Sequence, residues 1–199
     1  DLASLADIRR PLPIVVGMAV LWAYNAFVLR GDAARAGEAP RQAGIRRLYL
    51  YLVAAVGLAA LLVGVSGDLS VLIRALAGGS FLEALREQVA WFTAALLAGL
   101  PVWLLPWRQA QLGAVAMTDA GREERQSVVR KIYLYFYLFV ATMAVLSSMV
   151  YIVYRLLSLL LGASSEGNLL TDIGQAIAYS VIAVGVMLYH GSALRGDGR

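Results

Sequence analysis

The chain has 199 residues, of which 60% are hydrophobic and only 15% are charged, and its formal net charge is +4. A soluble globular domain averages about 45–50% apolar and about 25% charged residues, and a small domain leaves much of its surface in water. This composition excludes a water-soluble enzyme and an intrinsically disordered chain, and it indicates a protein that folds within a lipid bilayer.

Five stretches of 19 to 23 residues contain no Asp, Glu, Lys or Arg; they cover residues 11–29, 48–67, 88–107, 132–154 and 173–194. About 20 helical residues cross a hydrocarbon core of about 30 Å. Backbone groups in lipid must be satisfied within a helix or a closed barrel. Because the period-two alternation of a barrel strand is absent, the sequence predicts an all-α membrane protein, a bundle of about five transmembrane helices.

Basic residues are concentrated on one side of these spans. The connections 30–47 and 108–131 each contain five Lys or Arg residues, whereas the two opposite connections contain three between them. The positive-inside rule then places both basic loops and the C-terminus in the cytoplasm of a bacterial inner membrane. Aromatic side chains, which favour the membrane interface, gather at the same predicted level: Trp22, Tyr24, Tyr49, Tyr51, Trp103, Trp107, Tyr133, Tyr135 and Tyr189.

An internal repeat organises the spans. Residues 46–52 (RRLYLYL) recur 84 positions later as residues 130–136 (RKIYLYF), and each copy opens a long apolar stretch. The chain therefore has the order A–B–A–B–A, a single transmembrane domain of tandem helical hairpins. The repeats are 1–83 and 84–166, followed by a final A helix. Because Asp1 matches a position inside a repeat, we expect the chain to be a fragment of a longer protein.

Two local patterns refine this scheme. Residues 66–68 (SGD) predict a break in the first B helix, with residues 69–76 forming a short amphipathic helix in the interface. The second B helix lacks this pattern and is expected to be continuous. Small residues four positions apart, among them Ala60 with Gly64 and Ala95 with Gly99, predict close helix contacts, either within the chain or between copies.

Two basic pairs precede the Tyr-x-Tyr motifs of the repeat. Arg46 with Arg47, and Arg130 with Lys131, are candidates for contact with anionic lipid headgroups or with phosphate groups. The alternative is a simple interfacial anchor that follows the positive-inside rule. An anionic bilayer surface is thus the partner that the sequence predicts, and nothing indicates nucleic acid.

Few residues are candidates for chemistry. His190 is the only histidine and the chain has no cysteine, which excludes a bis-His haem or a multi-His metal centre within these residues. His190 is a weak candidate for proton relay, the alternative being a polar residue at a helix end. Asp68, together with Asp172, is a weak candidate for a cation site, the alternative being a cap or a solvated carboxylate. The sequence predicts no catalytic residue, cofactor or metal.

The repeated Arg-Arg/Lys-x-Tyr-x-Tyr helix, clearest over residues 44–79 and 128–163, resembles an uncharacterised bacterial domain-of-unknown-function family of multi-pass membrane proteins. The resemblance implies a membrane domain and transfers no catalytic or binding residues. The leading hypothesis is a non-catalytic membrane module: an anchor, a sensor or an accessory subunit, alone, as a homo-oligomer or with other membrane subunits. The alternatives are a channel or small-solute transporter completed by oligomerisation and, third, a lipid-modifying enzyme.

Overall fold

The computed structural model describes residues 40–77, 83–162 and 167–198, together with seven separate positions at 16–18, 20, 21, 24 and 28. The chain divides into two compact units, Asp1–Arg46 and Arg47–Arg199. The predicted first span, 11–29, lies largely outside the described residues, as does Trp22. At the seven described positions the backbone is helical and the side chains are exposed.

The described residues form five helices, which we number in chain order: α1 (Pro40–Leu76), α2 (Glu83–Val115), α3 (Asp119–Gln126), α4 (Val128–Leu160) and α5 (Leu169–Asp197). Over these ranges the structure contains no strand. Four segments are long and apolar enough to cross a membrane: Ala43–Leu76, Leu85–Val115, Val128–Leu160 and Leu169–Asp197. The all-helical, multi-pass class predicted from the sequence is therefore confirmed.

The predicted break at residues 66–68 is wrong, because α1 continues through it as one helix. The groups that would form the break are used in contacts with α2 instead. The Asp68 carboxylate accepts hydrogen bonds from Thr93 Oγ1 at 3.1 and 3.2 Å. Gly67 lies under the ring of Phe92, where an added Cβ would lie 2.1 Å from a ring carbon. The second B helix, α4, is continuous as expected.

α1 and α2 form an antiparallel hairpin in which glycines bring the two backbones together. A Cβ added at Gly57 would lie 2.4 Å from the backbone nitrogen of Trp103, and one at Gly64 would lie 2.5 Å from that of Leu96. A Cβ at Gly99 would lie 2.5 Å from a backbone nitrogen of α1. Side chains larger than hydrogen are excluded at such contacts. The small residues Gly64 and Gly99 thus serve packing within the chain.

α4 and α5 form a second antiparallel hairpin, joined near its two ends by the ion pairs Arg130–Asp197 and Arg155–Asp172. α4 also lies beside α1 and parallel to it. The part of α1 that follows Arg46, the start of α4, the ends of α2 and α5, and the short helix α3 consequently share one end of the second unit. We call this the basic end and the other the opposite end.

Candidate functional site: aromatic and ion-pair contacts at the basic end

Rings from four helices meet at the basic end. This aromatic cluster contains Tyr51, Trp103, Trp107, Tyr133, Tyr137, Tyr189 and His190. Trp107, which is buried, stacks on Tyr133 with 5.1 Å between ring centroids. Each such pair adds about 0.5–1.5 kcal/mol beyond the burial of its surface. The cluster is thus a rigid junction between α1, α2, α4 and α5.

Both indole nitrogens and the hydroxyls of Tyr133, Tyr137 and Tyr189 bond one another or the backbone. Trp103 Nε1 donates to the Tyr133 hydroxyl at 3.1 Å, and Trp107 Nε1 donates to the Tyr189 hydroxyl at 2.6 Å. The Tyr137 hydroxyl donates to a backbone carbonyl of α1 at 2.5 Å. Tyr133 and Tyr137 lie one turn apart on α4, so the helical period alone presents both to the same neighbours. Three positions that the sequence assigned to the membrane interface, Tyr51, Trp107 and Tyr133, are therefore buried between helices, whereas Tyr189 is 44% exposed.

Arg130 is buried beneath this cluster with 1% of its side chain exposed. Its Nε and one terminal nitrogen donate to the two carboxylate oxygens of Asp197, at 2.6 and 2.9 Å. The other terminal nitrogen donates to the Tyr51 hydroxyl at 3.1 Å, and Gln111 accepts a further bond. The guanidinium also lies 5.6 Å from the centre of the Trp107 ring, within cation–π range. Arg130 therefore holds α1, α2 and α5 against α4.

The contacts continue from Arg130 to the interfacial helix α3. The Tyr51 hydroxyl donates to Glu124 Oε1 at 2.9 Å, and Glu124 Oε2 pairs with Arg47 Nε at 2.7 Å. We call the series Arg47, Glu124, Tyr51, Arg130 and Asp197 the ion-pair chain. It joins α1, α3, α4 and α5 through the Arg47–Glu124 ion pair and through charge-assisted hydrogen bonds, which are the stronger class.

Local contacts position α3 so that Glu124 reaches this chain. The Thr118 side chain caps α3 by accepting a bond from the Gly121 backbone nitrogen at 3.2 Å. Arg125 bonds the carbonyl of Ala114 at the end of α2. The outer face of α3 carries the exposed pair Asp119 and Arg122.

His190 is buried at the centre of the aromatic cluster, 1% exposed. Its ring lies 5.4 Å from that of Tyr137, 5.7 Å from that of Tyr133 and 5.8 Å from that of Trp107. Nδ1 lies 2.9 Å from the Val186 carbonyl, which can only accept, so Nδ1 carries a hydrogen. Nε2 is buried without a hydrogen-bond partner. Sequence register placed this histidine at a helix end, and no local pattern indicated that rings from three helices would enclose it.

The four basic candidate residues occupy different environments. Arg46, at the end of the first unit, and Lys131, in α4, have exposed side chains. The Arg47 side chain is 20% exposed and pairs with Glu124, while Arg130 is enclosed by the contacts given above. Contact with lipid headgroups or phosphate stays a prediction for all four. Arg46 and Arg130 occupy equivalent positions in the sequence repeat, but in the fold Arg46 is exposed and Arg130 is buried.

The remaining aromatic candidates face outward. Tyr49 and Tyr135 are 53% and 58% exposed, and Tyr24 in the first unit is 63% exposed. Asp68 lies away from the basic end with Thr93. Over the described ranges, no group of three or more His, Cys, Asp or Glu side chains is placed to hold a metal ion.

Comparison with known proteins identifies one family. The profile described as Domain of unknown function (DUF5671) matches residues 47–185. No curated protein and no solved structure matches the chain. The matched segment contains most of the aromatic cluster and ends before Tyr189, His190 and Asp197.

Proposed function

We propose that this chain, which belongs to the DUF5671 family, a domain of unknown function, is a non-catalytic multi-pass membrane module. It acts as an anchor, sensor or accessory subunit. The observation that carries this proposal is the enclosure of Arg130 by α1, α2 and α5. Both oxygens of Asp197 and of Glu124 bind partners within the chain. Groups that bond one another across helices hold a scaffold together, and they are not free to bind or activate a substrate.

The basic end is proposed to face the cytoplasm of a bacterial inner membrane. The positive-inside rule supports this orientation through the loops 30–47 and 108–131. Anionic headgroups would then meet the exposed basic side chains of Lys131 and, on α3, Arg122. In that orientation α3 is the element that another membrane subunit, a second copy or an attached domain reaches first.

Ion flux in proteoliposomes separates the proposed module from the alternative, a channel or small-solute transporter. We expect the purified chain to be inert across a range of voltage and pH. In mild detergent we expect it to migrate from native membranes within an assembly larger than the chain alone. Flux that falls in Asp68→Asn or His190→Gln, but not in the exposed control Asp119→Asn, would overturn the proposal in favour of a channel.

Introduced cysteines test the orientation, because the natural chain contains none. Asp119→Cys on α3 and Leu161→Cys after α4 place single thiols at exposed positions near the two ends. In spheroplasts, a membrane-impermeant maleimide should label Leu161→Cys directly and Asp119→Cys only after permeabilisation. The reverse pattern would contradict the proposed sidedness while leaving the scaffold proposal intact.

A further inference from the structure

The second hairpin leaves a groove where the first is closed. Gly57 and Gly64, whose missing side chains let the α2 backbone approach, stand 84 positions before Ala141 and Ser148 of α4. Ala141 and Ser148 are 3% and 8% exposed, and both line a groove of about 390 Å³ between α1, α4 and α5. Ala141 and Ser148 thus face this groove, whereas their glycine equivalents face the backbone of α2.

The lining of this groove changes along its length. Its part toward the basic end is apolar and includes Val140, Ala144 and Val186. Toward the opposite end it is lined by four hydroxyl-bearing side chains: Ser66, Ser147, Ser148 and Tyr179. No charged residue contributes to the lining. The groove therefore suits a neutral, amphipathic occupant.

The hydroxyl groups of Ser66, Ser147, Ser148 and Tyr179 have no hydrogen-bond partner among the described residues, whereas the Tyr137 hydroxyl, which also lines the groove, bonds a carbonyl of α1. Ser148 is the most enclosed of the four. A hydroxyl that faces hydrocarbon without a partner costs about 1–3 kcal/mol, and the hydrocarbon of a bilayer cannot supply the missing bond. Since hydroxyls can donate, an occupant whose polar head accepts hydrogen bonds would remove this cost.

The dimensions of the groove match those of one extended hydrocarbon chain. From Tyr137 to Ser148, α4 rises about 16 Å at about 1.5 Å per residue. The groove volume of about 390 Å³ over that length corresponds to a mean cross-section of about 24 Å², close to that of one extended hydrocarbon chain. One extended chain would therefore occupy the groove, and a fatty acid anion would lack a counter-charge there.

We propose that this groove binds a single-chain neutral lipid whose head carries carbonyl groups, the chemistry of a prenylated quinone. The carbonyl oxygens would accept hydrogen bonds from Ser147 and Ser148, and the tail would lie along Val140, Ala144 and Val186. The proposal goes beyond the scaffold function and does not depend on it, because an anchor or accessory subunit can exist with or without this ligand.

Photocrosslinking tests the site directly. The probe is an azido-benzoquinone with a decyl side chain, added to the protein in phosphatidylcholine nanodiscs, and crosslinked peptides are mapped by mass spectrometry. We expect saturable labelling of α4 and α5 peptides that line the groove. Ala144→Leu, which fills the groove, should weaken labelling at least about tenfold. Thr142→Leu, exposed on another face of α4, is the matched control and should label as the natural chain does.

Further variants distinguish the contribution of groove volume to binding from that of hydrogen bonding. Ser148→Ala keeps the volume and removes a donor, so we expect labelling to weaken by about threefold to tenfold. If Ala144→Leu fails to fold, as judged by thermal unfolding, Ser147→Leu at the exposed rim blocks the same groove. Non-saturable labelling, labelling that persists in the filled variants, or equal competition by dioleoylglycerol would each overturn the proposal.

Discussion

The two hairpins share a sequence pattern and pack in opposite ways. In α1–α2, glycines bring the backbones into contact, whereas Ala141 and Ser148 at the equivalent positions of α4 line a groove between α1, α4 and α5. At the basic end the contrast is reversed. Arg130 of α4 is enclosed and bonded on every side, whereas Arg47 of α1 keeps 20% of its side chain exposed and relies on α3. Similar helices can thus form a closed seam in one hairpin and an open groove in the other.

The tyrosines show why the copies differ. Tyr133 is 4% exposed, yet its repeat equivalent Tyr49 is 53% exposed; Tyr51 is 3% exposed, yet its equivalent Tyr135 is 58% exposed. α1 and α4 lie side by side and parallel, and the contact between them uses a different face of each. A heterologous contact of this kind does not bury equivalent residues on both partners.

The largest expected effect concerns the enclosed charge of the second hairpin. Asp197→Leu should lower the free energy of unfolding by about 3–5 kcal/mol, because Arg130 is left buried without its counter-ion. Urea unfolding in detergent, followed by tryptophan fluorescence, measures the change. Asp119→Leu, at an exposed ion pair on α3, is the control and should be nearly neutral. Equal losses of stability in Asp197→Leu and Asp119→Leu would contradict the conclusion that Arg130 depends on a buried counter-ion.

The next prediction compares the glycine contact between α1 and α2 with the groove beside α4. Gly64→Leu should destabilise the protein by about 1–3 kcal/mol or more, because even its Cβ meets the α2 backbone. Ser148→Leu, the same side chain at the position 84 residues later, should cost less because the groove has room for it. Thermal unfolding of the two variants in one detergent gives the comparison. A larger loss for Ser148→Leu would show that the second hairpin is as tightly closed as the first.

A smaller effect is expected to have the opposite sign. Ser148→Ala should raise the stability of the ligand-free protein by about 1 kcal/mol, because it removes a groove-facing hydroxyl that has no hydrogen-bond partner among the described residues. Ser192→Ala is the control, since its hydroxyl is exposed and bonds the Tyr189 carbonyl. Denaturant unfolding measures both, and a clear loss of stability in Ser148→Ala would indicate that this hydroxyl is already satisfied.

The smallest effect is expected on the outer face of α3. Arg122→Ala should change stability by less than about 0.5 kcal/mol, because its ion pair with Asp119 is exposed to solvent. Arg47→Ala, which removes the link to Glu124, should cost more. Unfolding curves at low and high salt measure both variants. A loss for Arg122→Ala as large as that for Arg47→Ala would contradict the inward role assigned to Glu124.

Prediction from sequence succeeded for properties that depend on neighbouring residues in the chain. The length of each uncharged stretch predicted the spans of the second unit. The absence of a Ser-Gly-Asp pattern from the second B helix predicted that α4 is continuous. The break predicted at residues 66–68 was wrong because Ser, Gly and Asp usually favour caps and turns. Here Thr93 and Phe92 of α2 supply the contacts that keep α1 helical, and no local pattern reveals a partner some 25 residues away.

The amino-acid sequence by itself determined that this chain is helical and suited to a bilayer, because the length and polarity of each apolar run are local properties to which lipid responds directly. Only the tertiary structure decided which tyrosines face inward, that Arg130 meets Asp197, that His190 is enclosed by rings, and that one hairpin closes while the other leaves a groove. Those outcomes depend on which helix face meets which neighbour, and in a nearly uniformly apolar helix the hydrophobic pattern leaves that choice to packing.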